Sequence, residues 1–287
     1  MVSVSSTDVA RYYDSNTRRF LLMGGGRGAY AMHRELWGPG IGSAREASSY
    51  IDRVLGDEIA TLAPSPNPVV VDFGCGVGGT LFHLAERFPG ARLRGITVSP
   101  RQVEIAQRFA RELGYADRCS FFLGDFQSAD LELRADAVVA VESFAHSTDP
   151  DAFLSNVAKH LRPGGCLLVA DDFLALDEGA LDARQRHRVA QFQAGWRVPA
   201  ACVDRELMDR ARTYGLEVQK NVDLTALTRP GSRVRDRLTA AACAVLAPLG
   251  LSGIPFFGNL IGGNALQVGL RDGFLQYRLL LFRKRPQ

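Results

Sequence analysis

Between residues 69 and 80 the sequence reads Val69-Val70-Val71-Asp72-Phe73-Gly74-Cys75-Gly76-Val77-Gly78-Gly79-Thr80, an apolar run that breaks into a glycine cluster and then into an amphipathic stretch, Thr80 to Phe88. The run follows a proline-rich linker, Pro64 to Pro68, and shows no polar alternation before Asp72, the pattern of a strand buried on both faces. Glycines at such a strand-to-helix turn let the backbone approach a ligand closely, and the helix that follows offers free N–H groups to an anion. A chain with this turn is expected to form an α/β, doubly wound, Rossmann-like sheet that binds its ligand at the carboxyl edge of the strands.

The alternation of apolar and amphipathic stretches continues downstream. Arg92 to Val98, Ser120 to Leu123, Ala135 to Val141 and Cys166 to Ala170 read as four more strands. Between them lie a helix over Pro100 to Leu113, with Ser99 as its N-cap, and another over Asp151 to His160, stopped by Arg162-Pro163-Gly164-Gly165. Glu178 to Gly195 and Asp204 to Tyr214 read as helices, Leu216 to Leu224 as a sixth strand and Phe274 to Phe282 as the seventh. The expected organisation is N-terminal lid and substrate-side helices over 1–60, a cofactor-binding core over 61–175, and over 176–287 the rest of a seven-stranded sheet with a helical cap inserted before the last strand.

Leu238 to Leu270 contains no charged residue and is long enough to span a bilayer. Pro248, Gly250, Gly253, Pro255, Gly258, Gly262 and Gly263 interrupt it, so a buried cap over an apolar cavity is expected and stable membrane insertion is not. The 34 basic residues are scattered and nearly balanced by 31 acidic ones, a net charge of +3 that gives no footprint for nucleic acid and favours a small-molecule partner. The five cysteines lie far apart without ligand spacing, so no metal site is expected; with no apolar export signal at the N-terminus, a reducing cytoplasm is the expected location.

The glycines alone fit a dinucleotide fingerprint as well as other cofactor loops. A dinucleotide site asks for a carboxylate at the end of the second strand, where this sequence has Gly95-Ile96-Thr97-Val98-Ser99-Pro100-Arg101-Gln102. With Asp72 ahead of the first glycine, Gly124-Asp125 after the third strand and Leu161-Arg162-Pro163-Gly164-Gly165 before the fifth, the set resembles the class I S-adenosylmethionine-dependent methyltransferases. That resemblance implies S-adenosyl-L-methionine as cofactor, with Gly74, Cys75 and Gly76 along its methionine part and Asp72 organising the loop. It implies Thr97 and Gln102 near the ribose, Asp125 accepting from the adenine amino group and Phe126 stacking on the ring.

The Gly-Ile-Thr-x-Ser-x-x-Gln ending is shared by methyltransferases that alkylate carbon. Here the chain most resembles the terpene (geranyl diphosphate-type) C-methyltransferases, with relatives among cyclopropane fatty acid synthases and tocopherol-type enzymes. Val9-Ala10-Arg11-Tyr12-Tyr13-Asp14 is similar to the segment those enzymes fold over the cofactor, and Val141-Glu142-Ser143-Phe144-Ala145-His146 to their substrate-side motif. The resemblance implies transfer to an alkene carbon of an isoprenoid, a prenyl diphosphate or a prenylated natural product, through a carbocation that is then deprotonated or cyclised. Glu142, Asp172 and His146 are the candidate catalytic residues, each just past a strand end. Mg²⁺ is expected only for a diphosphate substrate. The alternative is an O- or N-methyltransferase of a natural-product scaffold with His146 as base; Glu142 can equally hold the methionine ammonium, and His146 can cap a loop. A homo-oligomer is the expected assembly.

Overall fold

The computed structural model describes residues 5–23, 30, 32–229 and 255–286, with positions 234, 239 and 241. Within the uncharged stretch read as a cap, residues 238, 240 and 242–254 lie outside the described residues.

Seven strands form one sheet: β1 (Val69–Phe73), β2 (Arg92–Thr97), β3 (Cys119–Leu123), β4 (Ala135–Val141), β5 (Leu161–Leu174), β6 (Leu216–Asp223) and β7 (Leu275–Lys284). Their order is β3-β2-β1-β4-β5-β7-β6, with β1 to β5 parallel and β7 antiparallel to both neighbours. The central β4 is buried at every position, as its unbroken apolar sequence requires. The connections reverse direction between β1 and β4, and this switch point opens a crevice at the carboxyl edge of the sheet.

Around the sheet lie α1 (Ser6–Met23), α2 (Ala44–Ser48), α3 (Tyr50–Leu62), α4 (Gly79–Arg87), α5 (Pro100–Leu113), α6 (Pro150–His160), α7 (Ala183–Trp196), α8 (Asp204–Thr213) and α9 (Pro255–Asp272). One buried cluster joins Leu55, Leu81, Leu168 and Leu279; a second, built from residues of the opposite strand parity, joins Phe73, Phe153, Leu167 and Phe282. Local chemistry sets the helix starts. The Ser99 side chain accepts from the Gln102 amide with Pro100 at the first helical position of α5, and Asp149 accepts from the amides of Asp151 and Ala152 ahead of α6.

Three boundaries differ by more than two residues from the sequence reading. The fifth strand starts at Leu161, not Cys166, where Leu161 pairs with Ala135 ahead of a register shift, and it runs past Ala170 to Leu174, because Asp171 and Asp172 continue the pairing with β7 although their charge interrupts the apolar run. The helix read over Glu178 to Gly195 is a short 3₁₀ turn at Glu178–Ala180 followed by α7, since Asp182 caps a new helix through a reciprocal bond with Gln185. The seventh strand follows α9, the helical cap expected before it. Among the described residues no helix is long and apolar enough to cross a membrane.

Candidate cofactor and acceptor site

The carboxyl ends of β1, β2, β4 and β5 open into a cavity of about 1120 Å³ including its mouth, roofed by α1 and α7. Its floor is the glycine loop. Gly74 stands at φ +91°, and a Cβ there would lie 2.3 Å from the Ser143 Cβ, so β1 and β4 can approach only with glycine at this position. The Ser143 hydroxyl ties the two strand ends together by donating to the Phe73 carbonyl at 2.5 Å. Gly76 also has a positive φ, +53°, but a Cβ there would meet only the Met32 sulfur, at 3.5 Å. That open face, next to the N-terminus of α4, is a cradle for a small zwitterion.

Seven expected cofactor residues, Asp72, Gly74, Cys75, Gly76, Thr97, Gln102 and Phe126, line this cavity. The Thr97 hydroxyl donates to Gln102 Oε1 at 2.6 Å, which turns both buried side chains toward the second-strand wall. Phe126 is buried and stacks on Phe73 with ring centroids 6.1 Å apart. Asp125 is not among the lining residues; its carboxylate accepts from the Gln127 amide at 2.9 Å and from the Gln127 side chain, closing its own turn. In this geometry Asp125 shapes the loop that carries Phe126.

The roof is pinned by α1. Ser99 donates to the Asp14 carboxylate, Arg101 donates to the Asp14 carbonyl at 3.1 Å, and Gln102 donates to Thr17 at 3.4 Å. This docking delivers Tyr12 and Tyr13 into the cavity. The Tyr12 hydroxyl bonds Asn259 of α9. The Tyr13 hydroxyl lies 2.8 Å from His146 Nε2, while His146 Nδ1 lies 3.2 Å from the Arg197 carbonyl. A carbonyl only accepts, so Nδ1 carries the proton and Nε2 accepts from Tyr13. Burial pushes His146 below the usual imidazole range and keeps it neutral near pH 7.

Glu142 sits at φ +49°, a left-handed backbone conformation unusual for its residue type, directly after β4. Its Oε1 accepts from the Arg34 amide at 2.9 Å and from Arg34 Nε at 3.0 Å, and the other arm of the same guanidinium pairs with Asp172. Arg34 lies over the Tyr277 ring, 4.2 Å from its centroid. Burial raises Asp172 to about 6 against the opposing pull of Arg34. Burial and the neighbouring Asp172 raise Asp171 to about 7. The Asp171 carboxylate accepts from the amides of Ala145 at 3.0 Å and Asp172 at 2.8 Å, and so holds the turn that carries His146. All three expected catalytic side chains therefore reach one cavity. Sequence reasoning missed Arg34, which stands among many arginines and meets Glu142 108 positions away only once the fold closes.

Comparison with known proteins agrees with this geometry. A family described as a methyltransferase domain matches residues 71–167. An O-methyltransferase from Pyrenophora dematioidea is 30% identical over 235 residues, covering 81% of this chain and 84% of its own. This chain belongs to the S-adenosylmethionine-dependent methyltransferases. A second methyltransferase, the sterol 24-C-methyltransferase of Debaryomyces hansenii, is 31% identical over 162 residues, 55% of this chain and 42% of its own. The fold is that of a geranyl diphosphate methyltransferase solved in complex with GPP and sinefungin, with a TM-score of 0.75, 22% identity and coverage of 97% of this chain and 99% of that one.

The cradle beside Gly76, the carboxylate of Asp72 and the Phe126 ring suit the amino-acid and adenine ends of S-adenosylmethionine in this methyltransferase. The cofactor supplies an electrophilic methyl group on sulfur. Among the described residues no cluster of three His, Cys, Asp or Glu side chains is placed to hold a metal ion.

Proposed function

We propose that this methyltransferase methylates an alkene carbon of an isoprenoid, either a prenyl diphosphate or a prenylated natural product. The observation that carries the proposal is the placement of Glu142. A strained backbone turns its carboxylate to the wall of a cavity whose other walls include Tyr13, Phe192 and Trp196. An alkene that gives its electron pair to a methyl group is left with a positive charge on carbon, and that charge survives only where water is excluded and π faces or anions lie close. Tyr13, Phe192 and Trp196 offer the faces; Glu142 and Asp172 offer the anions. Arg34 holds the two carboxylates in fixed positions, and the raised Asp172 is suited to accept the proton that an adjacent carbon must lose. Support from outside the chain comes from the solved neighbour named for geranyl diphosphate and from the sterol C-methyltransferase.

A second reading rests on the Tyr13–His146–Arg197 arrangement. A neutral imidazole whose accepting nitrogen meets the Tyr13 hydroxyl at the cavity wall suits a general base for an acceptor hydroxyl that replaces Tyr13 there, and the Pyrenophora relative is named an O-methyltransferase. Substitutions separate the two. Carbon methylation predicts that Glu142→Gln or Asp172→Asn lowers kcat by about 10²-fold, the scale of a lost acid–base group, and that one of them changes the double-bond isomer or ring pattern of the product. Wild-type turnover in both, with activity abolished in His146→Ala, establishes the hydroxyl reading instead.

A further inference from the structure

Beside the glycine loop lies a pair of titratable side chains, His33 and Asp52, that the methyl-transfer step leaves unused. The His33 side chain is 6% exposed and both its ring nitrogens face oxygens. Nδ1 is 3.3 Å from the Arg34 carbonyl, and Nε2 is 3.3 Å from each carboxylate oxygen of Asp52 on α3. A carbonyl and an ionised carboxylate only accept, so both nitrogens donate and the ring is a cation. Asp52 is itself buried, bonds Thr80 in the first turn of α4 and faces His83 on the same helix. Glu142, at the end of β4, also acts on His33 and favours its charged form.

Asp72, at the end of β1, completes the group; it is 2% exposed and lines the cavity together with His33 and the glycine loop. Burial, reinforced by the charge of Asp52, pushes Asp72 up to about 8, and the His33 charge opposes that rise. Burial acts to lower His33, yet the Asp52 carboxylate beside it raises it to about 9. The His33–Asp52 pair is thus a fixed, nearly neutral dipole, and Asp72 is the member whose charge can change near pH 7.

The cofactor's amino-acid end carries a carboxylate and an ammonium. Backbone N–H groups at the start of α4 suit the first, and an anion next to them suits the second. We propose that His33 is a positioning residue for the cofactor: fixed as a cation against Asp52, it sets the charge that Asp72 presents to the cofactor's ammonium, and binding expels a proton from the cluster. The proton leaves Asp72 for solvent as the ammonium takes its place beside the carboxylate, so charge balances.

The test is calorimetry with S-adenosylhomocysteine in buffers of different ionisation heat between pH 6 and 8, on wild type, His33→Gln and Asp72→Asn. Wild type is expected to release a substantial fraction of a proton near pH 7, and Asp72→Asn none. His33→Gln keeps a donor toward Asp52 but removes the cation. It is expected to bind about tenfold more weakly at pH 7 and to move proton release to higher pH, a change on the order of one pKa unit in the cluster. Binding by wild type without proton exchange across this range overturns the proposal, and this measurement stands whether or not the His33 variant folds. A His33→Gln protein with the wild-type proton count and pH profile, changed only in melting temperature, overturns it as well, because His33 then serves the fold alone.

Discussion

Gly74 and Gly76 both have positive φ, yet the two positions differ in what a side chain would meet. At Gly74 the added Cβ collides with Ser143, whereas at Gly76 it enters open space beside Met32. Gly74→Ala is therefore expected to separate the ends of β1 and β4, abolish S-adenosylhomocysteine binding in calorimetry and lower the melting temperature. Gly76→Ala carries only backbone strain, on the order of 1–2 kcal/mol, and keeps the fold. Unchanged affinity in Gly74→Ala contradicts the cofactor loop as described. The placement of the glycines, Thr97, Gln102, Glu142 and His146 at the cavity was legible in the sequence because each lies at a strand's carboxyl end or in the turn that follows it. The partners that set their chemistry were not. Arg34 and His33 come from a stretch outside any helix or strand and Asp52 from the buried face of α3, and their meaning arises from burial and charge that exist only after folding. Asp125 shows the converse, since its motif position marks a loop but not whether the carboxylate faces the ligand or its own turn.

At the scale of elements, α1 and α5 act as one unit through Ser99, which caps α5 and also bonds Asp14. Ser99→Ala is expected to cost about 1 kcal/mol of stability from the lost cap and to speed amide hydrogen exchange in residues 6–17 as α1 loosens. Deleting residues 1–19 is expected to reduce turnover sharply, because Tyr12 and Tyr13 leave the roof; full turnover in the truncated protein contradicts that role. Strands β1 and β4 were legible because buried parallel strands are plain apolar runs. β5 was read too short, as its last residues include two acids that remain in the ladder by finding Arg34 and backbone amides. The break before α7 was hidden in a continuous polar and helix-favouring stretch, where one N-cap at Asp182 decided the start.

For the whole molecule, burial of charge at the site makes stability depend on pH. Asp171, Asp72 and His33 have folded-state values of about 7, about 8 and about 9, all above their ordinary values of 3.8, 3.8 and 6.5. A raised group holds its proton longer in the native state, so its contribution is complete below the unfolded value and is lost as pH climbs through the folded one. His146 is displaced in the other direction, and its opposing effect is confined to the acid side of its ordinary value of 6.5. The melting temperature is therefore expected to fall from pH 7 to pH 9; a rise over that interval contradicts the buried, proton-holding state of these groups. The doubly wound sheet itself was legible from the order of apolar runs and turns, whereas the acceptor depends on a cavity shape that no single motif specifies. Transfer to carbon is tested most directly by incubating the protein with S-adenosylmethionine labelled with ¹³C in its methyl group and a panel of prenyl diphosphates, prenylated aromatics and phenols, then locating the label by NMR. The expected product carries the labelled methyl on a former alkene carbon of an isoprenoid; a label found only on oxygen or nitrogen contradicts carbon methylation.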